Sequence, residues 1–170
     1  HNVILDLPGE TDEMIVLSAH YDSTPLSQGV YDNMSGSVGL LGIADYFRQH
    51  PHRYSLRFLW CGSEERGLLG SKAYVAAHEE DLKKTVLNIN LDMIGCIMGK
   101  FITCCTSEEK LVHYIDTLLL RQVLEWLQDR AFTLVILLHS LIRVFLLFLL
   151  HVLHLEIQLP STIVMIQWMS

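Results

Sequence analysis

The chain has 170 residues, with 12 Lys and Arg against 19 Asp and Glu and a formal net charge of −7. That acid surplus, with no basic stripe, excludes a protein that holds nucleic acid by neutralising phosphates. The length suits one domain with a real core and is too short for two comfortable ones. The sequence starts at His1 with no initiator Met and no leader pattern, so a fragment of a longer protein is expected. Cys61, Cys96, Cys104 and Cys105 show no C-x-x-C spacing. They read as free thiols, which lean towards a reducing compartment and otherwise leave localisation open.

In chain order, Val3–Leu7 is a short apolar strand that ends at the Pro8-Gly9-Glu10 turn. Residues 14–19 form a continuous apolar run, as a central strand buried on both faces requires. The polar stretch 20–34, with Pro25 and Gly29, reads as a loop at that strand's carboxyl end. Residues 35–49 space Val38, Leu41, Ile43, Ala44 and Phe47 as a helix does, and Pro51 follows its end. A third strand over 56–60 runs into Glu64-Glu65, a helix over 68–78 follows, and a fourth strand over 86–91 ends on Asp92. Thr106-Ser107-Glu108-Glu109 has the form of a capping box opening a helix to about 118. Strands alternating with helices predict an α/β fold: a three-layer α/β/α sandwich on a mostly parallel, mixed sheet. In such sheets ligands bind at the carboxyl ends of the strands.

His20, Asp32, Glu64, Glu65 and Asp92 all fall at or just beyond predicted strand ends. Singly, each has a bland explanation: a loop histidine, a turn, a solvated acidic pair, a helix cap. Jointly they are one imidazole and several carboxylates, the set that two hydrolytic cations about 3.5–4 Å apart need to offset their repulsion. Asp32 suits a bridging role, and imidazole nitrogen with carboxylate oxygen favours Zn²⁺. Asp22, two residues beyond His20, is placed to orient the imidazole rather than to bind metal. Of Glu64 and Glu65, one can ligate while the other takes a proton from metal-activated water.

From His1 to about Leu118 the chain resembles the di-zinc aminopeptidase family of zinc exopeptidases. The matching stretches are His20-Tyr21-Asp22-Ser23, Asp32-Asn33-Met34-Ser35-Gly36, Ser63-Glu64-Glu65-Arg66-Gly67-Leu68-Leu69-Gly70-Ser71 and Asn90-Leu91-Asp92-Met93-Ile94-Gly95. The resemblance implies that His20 and Asp92 hold one zinc, Asp32 bridges, Glu65 holds a second zinc and Glu64 is the general base. It also implies peptide substrates with a free N-terminus, and admits secretion. The single-zinc glutaminyl cyclases, a related branch, are the alternative enzyme reading.

The family's second zinc takes a further histidine from near the domain's C-terminus, preceded by an S-D-x-x-P-F…G-I-P segment, and neither is readable here. His139, His151 and His154 lie on a Leu-rich run without neighbouring Asp or Gly. Residues 134–155 are long enough to span a bilayer, but Arg143 and three histidines interrupt them, so a membrane role is not expected. A one-base frame slip explains the run better. From Phe132 to Ser170, synonymous codons exist whose shifted frame spells V-Y-P-S-D-S-T-P-F-A-D-K-G-I-P and ends I-H-N-R-Y-D-T-M-D. That resembles the missing family segment, with its histidine overlying Thr162 and its neighbours. Residues 1–118 are therefore expected to be a partial catalytic domain, and 119–170 an out-of-frame translation of the rest.

Overall fold

The computed structural model describes residues 1–95, 100–106, 109–128 and 162–169. Its strands are β1 (Val3–Leu7), β2 (Thr11–His20), β3 (Tyr54–Cys61), β4 (Thr85–Asp92), β5 (Lys100–Thr106) and β6 (Thr162–Met169). The helices are α1 (Ser35–Arg48), α2 (Leu69–Ala77), the short α3 (Glu79–Leu82) and α4 (Glu109–Gln128), with a π-helical turn at Val30–Met34 before α1. The strands form one sheet in the order β1-β3-β2-β4-β6-β5. Neighbours among β3, β2, β4 and β6 pair in parallel, while the edge strands β1 and β5 pair antiparallel.

The layers follow from which side chains each strand buries. Ile15, Leu17 and Ala19 of β2 join Phe58, Leu87, Ile89 and Leu91 on one face, under Leu40, Ile43 and Phe47 of α1 and Leu111 and Ile115 of α4. On the opposite face Val16, Leu59 and Cys61 pack with Tyr74 of α2. The central strand is thus buried on both sides, which is why its apolar run does not alternate with polar residues. Phe47 and Phe58 are almost wholly enclosed, and burying each contributes about 1.5–3 kcal/mol.

The second face is also held by charge. Arg57 of β3 is buried, and its guanidinium donates two hydrogen bonds to Asp6 of β1 at 2.7 and 2.9 Å. It also donates to Asp81 of α3 and to the Tyr74 hydroxyl of α2. One side chain therefore fastens the edge strand and two helices to β3.

Several boundaries differ from those expected. β2 begins at Thr11 because Thr11 pairs with Tyr54 ahead of a register shift before Met14, so polar residues extend the strand through backbone bonds. α4 continues to Gln128, past the expected end near 118. Residues 107–108, within the expected capping box, lie outside the described residues, as do His139, His151, His154 and the apolar stretch 134–155. β5, α3 and β6 were not expected; β6 falls in the segment set apart as out of frame. Among the described residues, no helix is long and apolar enough to cross a membrane.

Candidate metal centre at the strand ends

Parallel pairing brings the carboxyl ends of β2, β3 and β4 to one edge of the sheet. His20 closes β2 opposite Cys61 of β3, and Asp92 closes β4. Asp32 comes from the turn before α1, where the backbone at Asp32 and Asn33 leaves helical geometry and their peptide is cis. His20 is buried, and its Nδ1–H donates to the Asp22 carbonyl at 3.1 Å, with Asp22 Oδ1 3.6 Å away. That fixes the ring and turns Nε2 towards Asp32 Oδ1 at 3.1 Å and Asp92 Oδ1 at 3.5 Å. The His20 carbonyl is tied in turn by the Ser37 hydroxyl at 2.8 Å.

Electrostatically the cluster has too much acid for its surroundings. Burial works against charging His20, but Asp92, with Glu64 and Asp32 behind it, outweighs burial and pushes its pKa up to about 9. Among the described residues Asp92 Oδ1 is buried with no hydrogen-bond partner, and the 3.5 Å contact to the His20 ring is long for a hydrogen bond. An anionic oxygen in that position is costly unless a cation faces it.

The donor set fits zinc. One ligand atom from each of His20, Asp32 and Asp92 lies within 4.8 Å of the others. Two of the spacings, 3.1 and 3.5 Å, are close to the roughly 3.3–3.6 Å between ligand atoms in a tetrahedron with Zn–N and Zn–O legs of about 2.0–2.2 Å. Glu65 does not join this group, and among the described residues no second set of three donors gathers around it.

Glu64 stands beside the cluster on the loop that leaves β3. Burial, with the nearby charges of Glu65, Asp92 and Asp22, raises its pKa above the usual carboxylate range against the pull of His20. A carboxylate so raised is a better proton acceptor near neutral pH. Asp22 links the two sides: Oδ1 accepts the Glu64 backbone N–H at 2.9 Å, and Oδ2 accepts that of Glu65 at 3.3 Å. Ser63, just before them, takes a left-handed φ of 59° that turns the chain out of the strand. The expected residues thus assemble as His20, Asp32 and Asp92 around one point, Glu64 and Asp22 beside it, and Glu65 outside it. Asn33, absent from the expected set, is buried between Asp32 and the end of β4. Its position inside an Asp-Asn-x-Ser-Gly stretch was the only signal, and that stretch alone reads as a turn.

The sequence profile of peptidase family M28 matches residues 2–131. The chain belongs to peptidase family M28. Aminopeptidase YwaD of Bacillus subtilis is 43% identical over 108 residues, covering 62% of this chain and 22% of that protein. The structure of BSAP, a zinc aminopeptidase from Bacillus subtilis, superposes with a TM-score of 0.54 at 38% identity, over 57% of this chain and 25% of that one. A glutaminyl cyclase from an Acidobacteriales bacterium gives a TM-score of 0.50 at 30% identity, over 55% of this chain and 38% of that one. The M28 chain described here therefore spans about a fifth of the length of its curated relative.

Proposed function

We propose that this M28 chain carries the larger part of a zinc aminopeptidase site, built to remove the N-terminal residue of peptides, and that the chain as it stands is impaired. The observation that carries the reading is Nε2 of His20 facing two carboxylate oxygens, one of them buried and without a hydrogen-bond partner among the described residues. His20, Asp32 and Asp92 would hold one zinc. A bound zinc supplies a polarised scissile carbonyl and a water acidified towards a pKa of about 7. Glu64 is the general base that takes the water's proton, and its raised pKa lets it hand that proton on to the leaving amine. Asp22 holds both the His20 ring and the backbone of Glu64, so base and ligand keep one spacing. Glu65 stands outside the donor group, and with Asp32 as its only protein partner it would hold a second zinc weakly.

The missing histidine lies in the shifted frame of the tail: residues 1–118 are the partial catalytic domain and 119–170 its out-of-frame remainder. Two measurements test the reading. The nucleotide sequence across the codons for residues 116–130 is expected to contain a one-base slip. Codons that cannot spell the family segment when shifted would refute it. Hydrolysis of leucine p-nitroanilide is expected to be weak or absent in the full chain, to appear in the frame-restored chain with zinc, and to vanish again in Glu64→Gln. Cyclisation of an N-terminal glutaminyl peptide by the restored chain, without hydrolysis of the anilide, would favour the cyclase reading instead.

A further inference from the structure

We infer that Asn33 is a positioning residue that sets the spacing of the two acidic donors, Asp32 and Asp92, a proposal that rests on the metal-site reading above. Its carboxamide is fully enclosed. The Nδ2 group donates to the Leu91 carbonyl at 2.9 Å, and Oδ1 accepts the Met93 backbone N–H at 3.0 Å. Leu91 and Met93 flank Asp92, so a single side chain grips the backbone on both sides of that residue, across 58 and 60 positions of sequence. The same Oδ1 accepts the Gly36 N–H at 3.0 Å in the first turn of α1. Asn33 itself follows Asp32 directly, so the loop that carries one acid is fastened to the strand end that carries the other.

A helix-capping role would need only the Gly36 bond. The two bonds to β4 go beyond it, and they reach the peptide groups next to one residue of the cluster. The chemistry is specific to asparagine. A carboxylate offers no donor to Leu91, serine is too short to span both partners, and glutamine adds a methylene where there is no room. The local packing confirms the tightness: a methyl added at Gly36 would come within 2.4 Å of the Leu91 carbonyl and 2.5 Å of Asn33 Oδ1. Asn33 touches none of the three donor atoms, so it acts on the cluster through the backbone alone.

The test is zinc affinity of the full 170-residue chain, read by competition with a fluorescent chelator, together with metal-free melting curves. Asn33→Asp is the informative variant, because its extra negative charge by itself favours cation binding. Lost geometry is expected to win and to weaken zinc by about tenfold or more. Gly36→Ala perturbs the same clamp from the other side and is expected to move affinity in the same direction. Phe47→Leu, in the core far from the cluster, is expected to lower the melting temperature while leaving zinc affinity within about twofold. Zinc bound by either clamp variant as tightly as by the wild-type chain would overturn the role of Asn33 and leave the metal site standing. A wild-type chain that binds no zinc would overturn the metal reading and the clamp with it.

Discussion

Two ionic clusters sit on the same sheet, and they are built on opposite terms. Around Arg57, a buried guanidinium meets Asp6 and Asp81, with His78 at the same Asp81 oxygen, and its donors reach acceptors on β1, α2 and α3. Around His20, three acids crowd one imidazole, and Asp92 Oδ1 is buried without a hydrogen-bond partner among the described residues. The first sets one guanidinium against two carboxylates and is hydrogen-bonded throughout, as a structural staple must be. The second carries more acid than one imidazole can balance, at the point where Nε2 aims. Charge balance and unmet hydrogen bonds, rather than the number of charged residues, separate a staple from a cation site.

Removing the central group of each cluster should break different things. His20→Ala is expected to reduce zinc affinity beyond the roughly 100-fold ceiling typical of outer-shell partners, with little loss of metal-free stability at high pH, as chelator competition would report. Arg57→Ala is expected to do the reverse. Two partly exposed carboxylates lose their counter-charge and a buried donor set is removed, so urea unfolding should show a loss of about 1.5–3 kcal/mol with zinc affinity unchanged. Equal effects of the two substitutions on zinc would erase the distinction between the clusters.

Proton dependence sharpens the contrast. Without metal, His20 has a folded pKa of about 9 against an ordinary 6.5, so its charged form stabilises the fold fully below 6.5 and that contribution is lost as pH rises through 9. Zinc competes with the same proton at Nε2, so zinc affinity should climb over that window. Urea midpoints at both ends of it, with and without zinc, should therefore move in opposite directions. Asp81 has the other sign. Arg57, then His78, lowers its pKa, so its contribution is present above the unfolded value and is lost as pH falls through the folded one. Asp81→Asn should remove that acid-side loss, an effect of about 1 kcal/mol or less because the group is partly in water.

Most of the site could be read in the sequence because its residues end strands whose apolar runs are unmistakable. The run over β2 delivers His20, and that over β4 delivers Asp92. Asp22 follows from short spacing to the end of β2, and Glu64 from short spacing to the end of β3. Asn33 could not be read in this way, since its role depends on Leu91 and Met93, nearly sixty positions away. The staple was equally hidden: an Arg inside a strand gives no sign that Asp6 and Asp81 will meet it. α3 is too short to carry a helical period, and β5, with Phe101, Thr103 and Cys105 alternating against Ile102 and Cys104, has no clean polar face.

The central claim is that surplus acid at the strand ends is there to hold a metal ion. The most direct test is equilibrium dialysis of the purified chain against zinc at neutral pH, with metal counted by mass spectrometry in the wild-type, His20→Ala and Arg57→Ala chains. The expected result is about one tightly held zinc per chain in the wild type and in Arg57→Ala, and none in His20→Ala. No tightly held zinc in the wild type, or the same zinc content in His20→Ala, would contradict it.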